Sequence, residues 1–329
     1  MHWQWTWQAY LAARATRWSA RSLLDHQRLS DPGGRPKTRG RKPGEGDTTL
    51  PGILLPLLRL PLAKIDADAV RAWLKEEAAH RPTQANNAFV RLRAFLNWCA
   101  DRPEYRDQAR TDACLTRLAR DKLPKKSAKD DCLQREQLPA WFAAVRQIQN
   151  PVIAAYLQTA LLTGARREEV AGLAWNDIDF QWKAMTIKDN VQGKRTVPLT
   201  PFVASLLATL PRRNEWVFSS PTAASGRLRE SRIQHNKALT AAGLPNVTIH
   251  GLRRSFGTLA EWVECPAGVS AQIMGHKPSA TAEKHYRIRP LDLLRMWHTK
   301  IEAWILDEAG IEQSTDEQAG PRLVKSGRK

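Results

Sequence analysis

Between Lys122 and Asp131 the chain passes through four lysines and a proline, with no large apolar residue beyond Leu123. A segment of that composition has nothing to bury and reads as an exposed linker. The chain is therefore expected to fold as two units, each closing its own core. The expected boundaries are 1–121 for the first unit, 122–134 for the linker, 135–309 for the second unit, and 310–329 for a polar, disordered tail ending Gly327-Arg328-Lys329. A length of 329 residues suffices for two ordinary domains.

In the first unit, residues 3–28 carry helical spacing, with Trp7, Leu11, Ala15 and Trp18 three or four apart and arginines on the other faces. Glycine and proline then break regular structure over the basic loop 31–43, where Arg35, Lys37, Arg39, Arg41 and Lys42 cluster. This segment is either a solvated loop or a basic arm that holds phosphates without reading sequence. Asp66 or Asp68 is placed to cap a helix containing Val70, Trp73 and Leu74. A stronger helix is predicted over 83–101, with Ala88, Phe89, Leu92, Phe95, Leu96 and Cys99 on its apolar face and Arg91, Arg93 and Arg102 beside it. The first unit thus reads as small, all-helical and basic on its faces.

The second unit opens with a helix whose buried face is Val152, Ile153, Tyr156, Leu157, Ala160 and Leu161, closed by a Gly164 cap. A short helix over 166–173 and a turn at Asn176-Asp177 follow. A β-hairpin is expected from 180–188 and 195–199, then a helix from Pro201 and a short strand at Trp216-Val217-Phe218. From Arg229 onward the pattern is mostly helical, broken at 243–245, 265–266, 275–278 and Pro290.

Lys plus Arg number 51 against 33 Asp plus Glu, a formal net charge of +18. Such a chain calls for a polyanion, either nucleic acid or an anionic membrane. The most apolar stretch, Leu50 to Ala63, is interrupted by Pro51, Pro56, Arg59 and Pro61 and falls short of the ~20 residues of a spanning helix. The amino-terminal ten residues hold three tryptophans and no continuous apolar run, so they do not read as a secretory signal. Cys99, Cys114, Cys132 and Cys265 lie far apart, as reduced thiols of a cytoplasmic protein would. Nucleic acid is the expected partner.

Three short segments carry chemistry: Thr163 to Glu169, His250 to Phe256, and Met274-Gly275-His276 followed by Tyr286. Each alone has a bland reading. Arg166 can simply pair with Glu168 or Glu169, or its guanidinium can fork onto two phosphate oxygens with Glu169 fixing it from behind. His250 and Arg253 are three apart and share a helix face, with position 250 in a first turn where backbone N–H groups favour an anion. His276 alone is a capping or packing histidine, and Tyr286 alone a half-buried aromatic. Cys265, His276 and His285 contain no paired metal-ligand spacing, so no metal site and no cofactor are expected. The thirteen tryptophans are spaced mostly as helix-core residues, and core packing is the reading for nearly all of them.

In this order, Gly-x-Arg-x-x-Glu, His-x-Leu-Arg-Arg, Gly-His and a tyrosine one short helix later, the set resembles the catalytic signature of the tyrosine recombinases, the phage-integrase family. The resemblance covers about residues 135–305 and takes in Gly172 to Asp179 and Val197-Pro198-Leu199-Thr200. The first unit is similar to the family's core-binding domain, chiefly through Thr83 to Asn87 and Phe95 to Trp98. Two positions depart from the pattern. The family usually places a lysine eight residues before the proline of Val-Pro-Leu, where this chain has Asn190, flanked by Lys188 and Lys194. The interval from His276 to Tyr286 is also one residue longer than in many members, which puts His285 where the tyrosine often sits. Histidine is a poor candidate for a stable phosphoester, so Tyr286 is retained as the nucleophile.

The resemblance implies a mainly α fold with a small antiparallel β-hairpin sheet, arranged as a two-domain DNA clamp. It implies a site-specific recombinase that cuts and rejoins DNA through a 3′-phosphotyrosyl intermediate on Tyr286, integrating or excising a mobile element. Arg166, Arg253 and His276 would offset the phosphate charge, His250 would take or share the tyrosine proton, and Lys188 or Lys194 would protonate the leaving oxygen, with Lys188 slightly favoured. Arg35, Lys37, Arg39, Arg41, Lys42, Arg91, Arg93, Lys125 and Lys126 are the expected backbone contacts. The implied partners are core-type sites on double-stranded DNA, three further copies of the chain in a homotetramer built through the segment after Pro290, and accessory DNA-bending proteins. The place is the cytoplasm, at the nucleoid. The chain reads as starting at the core-binding helices, without the separate arm-binding domain of some integrases. Two alternatives stand beside this reading: a type IB topoisomerase-like enzyme, and a DNA-binding protein whose active site has decayed, for which Asn190 is the best support.

Overall fold

Serine decides where the first helical run ends. A single helical pattern was expected over residues 3–28, but α1 (Trp3–Ala15) stops, and α2 (Ala20–Gln27) starts anew from Ser19, whose hydroxyl accepts from the Ser22 N–H at 3.2 Å. Ser19 satisfies a backbone donor that continued helix would have left to the chain itself. The computed structural model describes residues 3–37, 46–115, 129–189, 193–276 and 289–312. Within it the chain divides into two units, Met1–Ala128 and Lys129–Lys329.

In the first unit the proline-broken apolar stretch becomes core. Leu54, Leu57, Leu58 and Leu62 are buried around the one-turn helix α3 (Leu55–Leu58). Asp66, not Asp68, caps α4 (Ala67–His80), accepting from the N–H groups of Asp68 and Ala69. The expected face of α5 (Pro82–Ala100) is buried along its length and meets Trp7 and Tyr10 of α1. No described helix is long and apolar enough to cross a membrane.

The second unit is built on α7 (Pro151–Thr163), in which every residue from Val152 to Thr163 is buried. A helix buried on all sides, its Gln158 and Thr163 side chains turned onto its own carbonyls, belongs at the centre of a core, and α6 (Leu138–Arg146), α11 (Ile249–Ala260) and α13 (Leu291–Glu308) pack on it. Between them run α8 (Arg167–Ala171), α9 (Pro201–Ala208), α10 (Arg232–Ala241) and α12 (Ala267–Met274). The carboxylate of Glu302 on α13 accepts from the backbone N–H groups of Phe202 and Val203 and from the Thr200 hydroxyl, capping α9 from a helix a hundred residues further along the chain.

A three-stranded antiparallel sheet runs β1 (Ile178–Asp179), β2 (Ala184–Asp189), β3 (Gly193–Pro198). The hairpin starts later than the expected residue 180, because Asp179 accepts from the Trp182 N–H at 2.8 Å and closes a turn. The predicted strand at Trp216 to Phe218 is reduced to an isolated bridge between Trp216 and Ala174. Nor do nearly all tryptophans fill the core. Trp7, Trp73, Trp98 and Trp141 do, but Trp5, Trp182 and Trp262 are exposed. Others lie under cations, as Trp175 does with Arg212 at 4.6 Å. Helical spacing identifies a stripe of tryptophans but cannot say which stripe faces inward.

Candidate active site

Two helix ends make the floor of the site. α7 closes on Gly164 and α12 on Gly275, both left-handed, at φ 59° and 75°. Such caps leave the last carbonyls of each helix without intrahelical partners. Arg253, only 4% exposed on α11, satisfies one from each: its Nη1 donates to the Gly164 carbonyl at 2.7 Å and to the Met274 carbonyl at 2.6 Å. A cation at two helix C-termini is electrostatically favoured, so Arg253 is fixed in place by the scaffold. No side chain fits at 164, since a Cβ there would sit 2.6 Å from the Phe256 ring.

Arg166 is the N-cap of α8 and sits above the same floor. Its Nη2 donates to the Gly275 carbonyl at 3.1 Å and its Nη1 to Glu169 Oε1 at 2.7 Å. Glu169 also accepts the Arg166 backbone N–H at 2.8 Å, the arrangement by which an N3 glutamate caps its own helix. Burial works against charge on Glu169, but hydrogen bonds from Arg195 and Arg166 outweigh it and hold the carboxyl down at about 2.

His250 projects from the first turn of α11, one face with Arg253. Thr248 caps that helix, and Asp131 holds the cap, accepting from both the N–H and the hydroxyl of Thr248 and pairing with Arg254. Asp131 lies in the stretch read as linker, yet its carbonyl and carboxylate fill the space where a side chain at Gly251 would go, and the Leu133 N–H donates to Ser255. Partial desolvation lowers the His250 imidazole below its ordinary value, and the charges of Arg254 and Arg253 lower it further. His276 follows the Gly275 cap and is lowered by desolvation, then by Arg253, Arg166 and Arg195. The site therefore gathers guanidinium groups and two imidazoles that are neutral at neutral pH, an arrangement suited to an anion with more charge than one ion pair can offset.

Residues 3–121 match the phage integrase core-binding domain, and residues 131–289 match the phage integrase family. Prophage integrase IntF of Escherichia coli (strain K12) is 50% identical over 321 residues, covering 93% of this chain and 68% of that protein. The chain belongs to the phage-integrase family of tyrosine recombinases. It is thus a site-specific recombinase. Tyrosine recombinase XerC of Mycobacterium sp. (strain JLS) is 25% identical over 258 residues, 74% of this chain and 82% of that one. The fold is also that of a lambda integrase dimer bound to a core site (TM-score 0.57, 16% identity, 88% of this chain and 99% of that one) and of the Tn1549 transposon integrase with transposon end DNA (TM-score 0.62, 15% identity, 92% and 99%).

Arg166, Glu169, His250, Arg253 and His276 converge in this integrase, whereas Tyr286, His285 and Asn190 lie outside the described residues. The hairpin lysines do not join them. Lys188 and Lys194 are cross-strand partners on the exposed face, opposite to the face of Met185, Ile187 and Val197, and Lys188 pairs with Asp177 at 2.7 Å. Two residues of the site were missed in the sequence, Arg195 and Asp131. Strand alternation from buried Val197 would have turned Arg195 inward, but Asp131 sits in a composition that gives no signal at all.

Among the candidate DNA contacts, Arg35, Lys37 and Arg91 line one concavity of about 1050 Å³ in the first unit, with Arg21, Arg28 and Arg81. Arg35 and Lys37 are held by pairing of the loop with Thr49 and Asp47. Arg93 does not line that concavity: two residues from Arg91, it points elsewhere on α5, and its charge falls on Cys114. Arg39, Arg41, Lys42, Lys125 and Lys126, like the tail from residue 313, lie outside the described residues. No group of three His, Cys, Asp or Glu side chains among the described residues could hold a metal.

Proposed function

We propose that Arg166, Arg253 and His276 clamp a scissile DNA phosphate and that Tyr286 attacks its phosphorus. The observation that carries this is the convergence of both guanidiniums on the Gly164 and Gly275 helix caps, one residue before His276. Attack breaks the bond to the 5′-oxygen, leaves a 3′-phosphotyrosyl ester and frees a 5′-hydroxyl. A 5′-hydroxyl from another strand then displaces the tyrosine. One phosphodiester replaces another of similar energy, so neither ATP nor metal is needed. Neutral His250 is suited to receive the phenol proton, and neutral His276 to donate to a non-bridging oxygen. A hairpin lysine supplies the proton to the leaving oxygen. Lys194 has no side-chain partner among the described residues, whereas Lys188 must first leave Asp177. The basic concavity of the first unit tracks the DNA backbone.

The working assembly is a homotetramer on two core-type sites, the reading supported by the lambda integrase tetramer bound to a Holliday junction. Integration or excision of a mobile element is the outcome, with accessory DNA-bending proteins as further partners. The domain boundaries we favour keep 1–121 for the first unit but start the second at Lys129 rather than 135, since Asp131 and Leu133 pack into it. The decisive experiment uses a nicked suicide substrate. Tyr286→Phe should form no covalent protein–DNA adduct while binding DNA as the unsubstituted protein does; an adduct that persists in Tyr286→Phe refutes the assignment.

A further inference from the structure

Arg195 stands on the inward face of β3, opposite Ile187. Its guanidinium forks onto Glu169, Nη1 to Oε1 at 3.1 Å and Nη2 to Oε2 at 2.7 Å. The same carboxylate, 5% exposed, holds Arg166 by its backbone N–H and its Nη1. One glutamate thus joins a guanidinium of the clamp to a guanidinium of the hairpin. The flat side of Arg195 lies against Gly275, where an added Cβ would fall 2.5 Å from the Arg195 Cζ. His276 follows directly, and the Arg195 charge reaches its imidazole. The Arg195 Nε is buried and has no hydrogen-bond partner among the described residues.

We propose that Arg195 is a positioning residue for strand cleavage, a bracket that orients Arg166 through Glu169 and His276 through Gly275. The proposal rests on the clamp reading of Arg166, Arg253 and His276. Its physical content is that Glu169 alone does not fix the clamp. A carboxylate has two oxygens with several lone-pair directions, and one arginine leaves it free to pivot. A second fork from the opposite side removes that freedom and ties the hairpin to the helix junction at 164–169. Lysine cannot reproduce this: an ammonium is a point donor, and it offers no planar surface for the Gly275 backbone to rest on. Arginine does not give up its proton at working pH, so Arg195 is not the acid for the leaving oxygen.

The test measures single-turnover adduct formation at saturating DNA, with affinity and melting temperature measured separately. Arg195→Ala should cleave roughly ten- to a hundredfold more slowly, less than the loss of a direct donor, with DNA affinity within about threefold because many other cations hold the backbone. Arg195→Lys should recover little of the rate. Replacing the leaving oxygen by sulfur, which needs no proton, should not rescue Arg195→Ala. In a cycle with Glu169→Gln, the double variant should lose less than the product of the two single losses, since the two residues share one carboxylate while Arg195 also bears on Gly275.

Cleavage by Arg195→Ala within about threefold of the unsubstituted protein, or losses that multiply in the double variant, would overturn the bracket. So would rescue by sulfur, which would make Arg195 part of the proton path. If both Arg195→Ala and Arg195→Lys fail to fold, Arg195 is a stability element and the proposal falls. Tyr286→Phe and Arg253→Ala, run in parallel, separate the two claims. If Tyr286→Phe forms no adduct and Arg253→Ala is slowed about a hundredfold or more while Arg195→Ala is unimpaired, only the bracket fails; if Tyr286→Phe forms an adduct or Arg253→Ala cleaves within about threefold of the unsubstituted protein, the clamp itself has been misread.

Discussion

Arg253 and Lys188 are both cations of one catalytic domain, and the structure treats them oppositely. Arg253 is buried, with two helix-terminal carbonyls fixing its guanidinium before any DNA arrives. Lys188 is exposed on the hairpin, paired to Asp177 and directly across from Lys194. The groups proposed to stabilise the transition-state charge are thus built into the scaffold, where they need no reorganisation at the moment of reaction. The candidate proton donors sit on a surface element and keep the rotamer freedom of a long side chain. A charge stabiliser is useful only if it is already in place, whereas a proton donor must reach an oxygen that is there only once DNA is bound.

The largest expected effects test the fixed half of that contrast. Arg166→Ala and Arg253→Ala should each slow single-turnover cleavage by roughly a hundred- to a thousandfold, the cost of one missing transition-state donor. They should differ in stability. Arg253→Ala strands the Gly164 and Met274 carbonyls and should cost about 2 kcal/mol or more in urea unfolding, while the Arg166 side chain, 36% exposed, should cost less than half of that. Equal stabilities would mean that burial of Arg253 has no structural consequence.

The movable half is tested next. Lys188→Ala and Lys194→Ala should be compared on normal DNA and on DNA whose leaving oxygen is sulfur. The donor's variant should be about a hundredfold slow on oxygen, the lower end for general acid–base catalysis, and recover on sulfur. If neither shows rescue, the acid lies elsewhere than on these two side chains.

A smaller effect comes from the framework under the clamp. Burial pushes the His298 and His235 imidazoles down to about 4, against about 6.5 in an unfolded chain. As pH falls through that window the unfolded chain binds protons that the folded one refuses, so stability present above about pH 6.5 is lost toward pH 4. The full shift is worth up to ~3 kcal/mol for each histidine. Glu302, raised by its own burial, works in the opposite direction. Urea midpoints measured from pH 7 to pH 4 should fall, and fall less steeply in His298→Gln; a flat profile would show that these rings are protonated without unfolding. The smallest expected effect is none: EDTA should leave cleavage unchanged. A loss that zinc restores would assign Cys265 and His276 to a metal.

What the sequence revealed depended on how local the signal was. The face of α5, the shared face of His250 and Arg253 on α11 and the Gly164 cap all follow from spacings within a few residues, and the catalytic signature is a set of such local patterns. The position of Arg195 depends on hairpin register, a pairing between residues that no single strand specifies. Asp131 was hidden more completely, because its partner Thr248 is 117 residues away and its neighbours have the composition of a tether. The exposed tryptophans show the same limit, since amphipathic spacing does not reveal which side has a partner.

The contact between Glu302 and the start of α9 also has a schedule. The glutamate is made 102 residues after Thr200, which at about 5–20 residues per second is roughly 5–20 seconds of synthesis. Throughout that interval α9 has no acceptor for its first N–H groups from α13, and the Leu162 carbonyl at the end of α7 waits for His298. A nascent chain thus holds Arg166 and the hairpin long before the wall that supports them exists, and an enzyme that breaks DNA has no finished catalytic domain until His298 and Glu302 have been made.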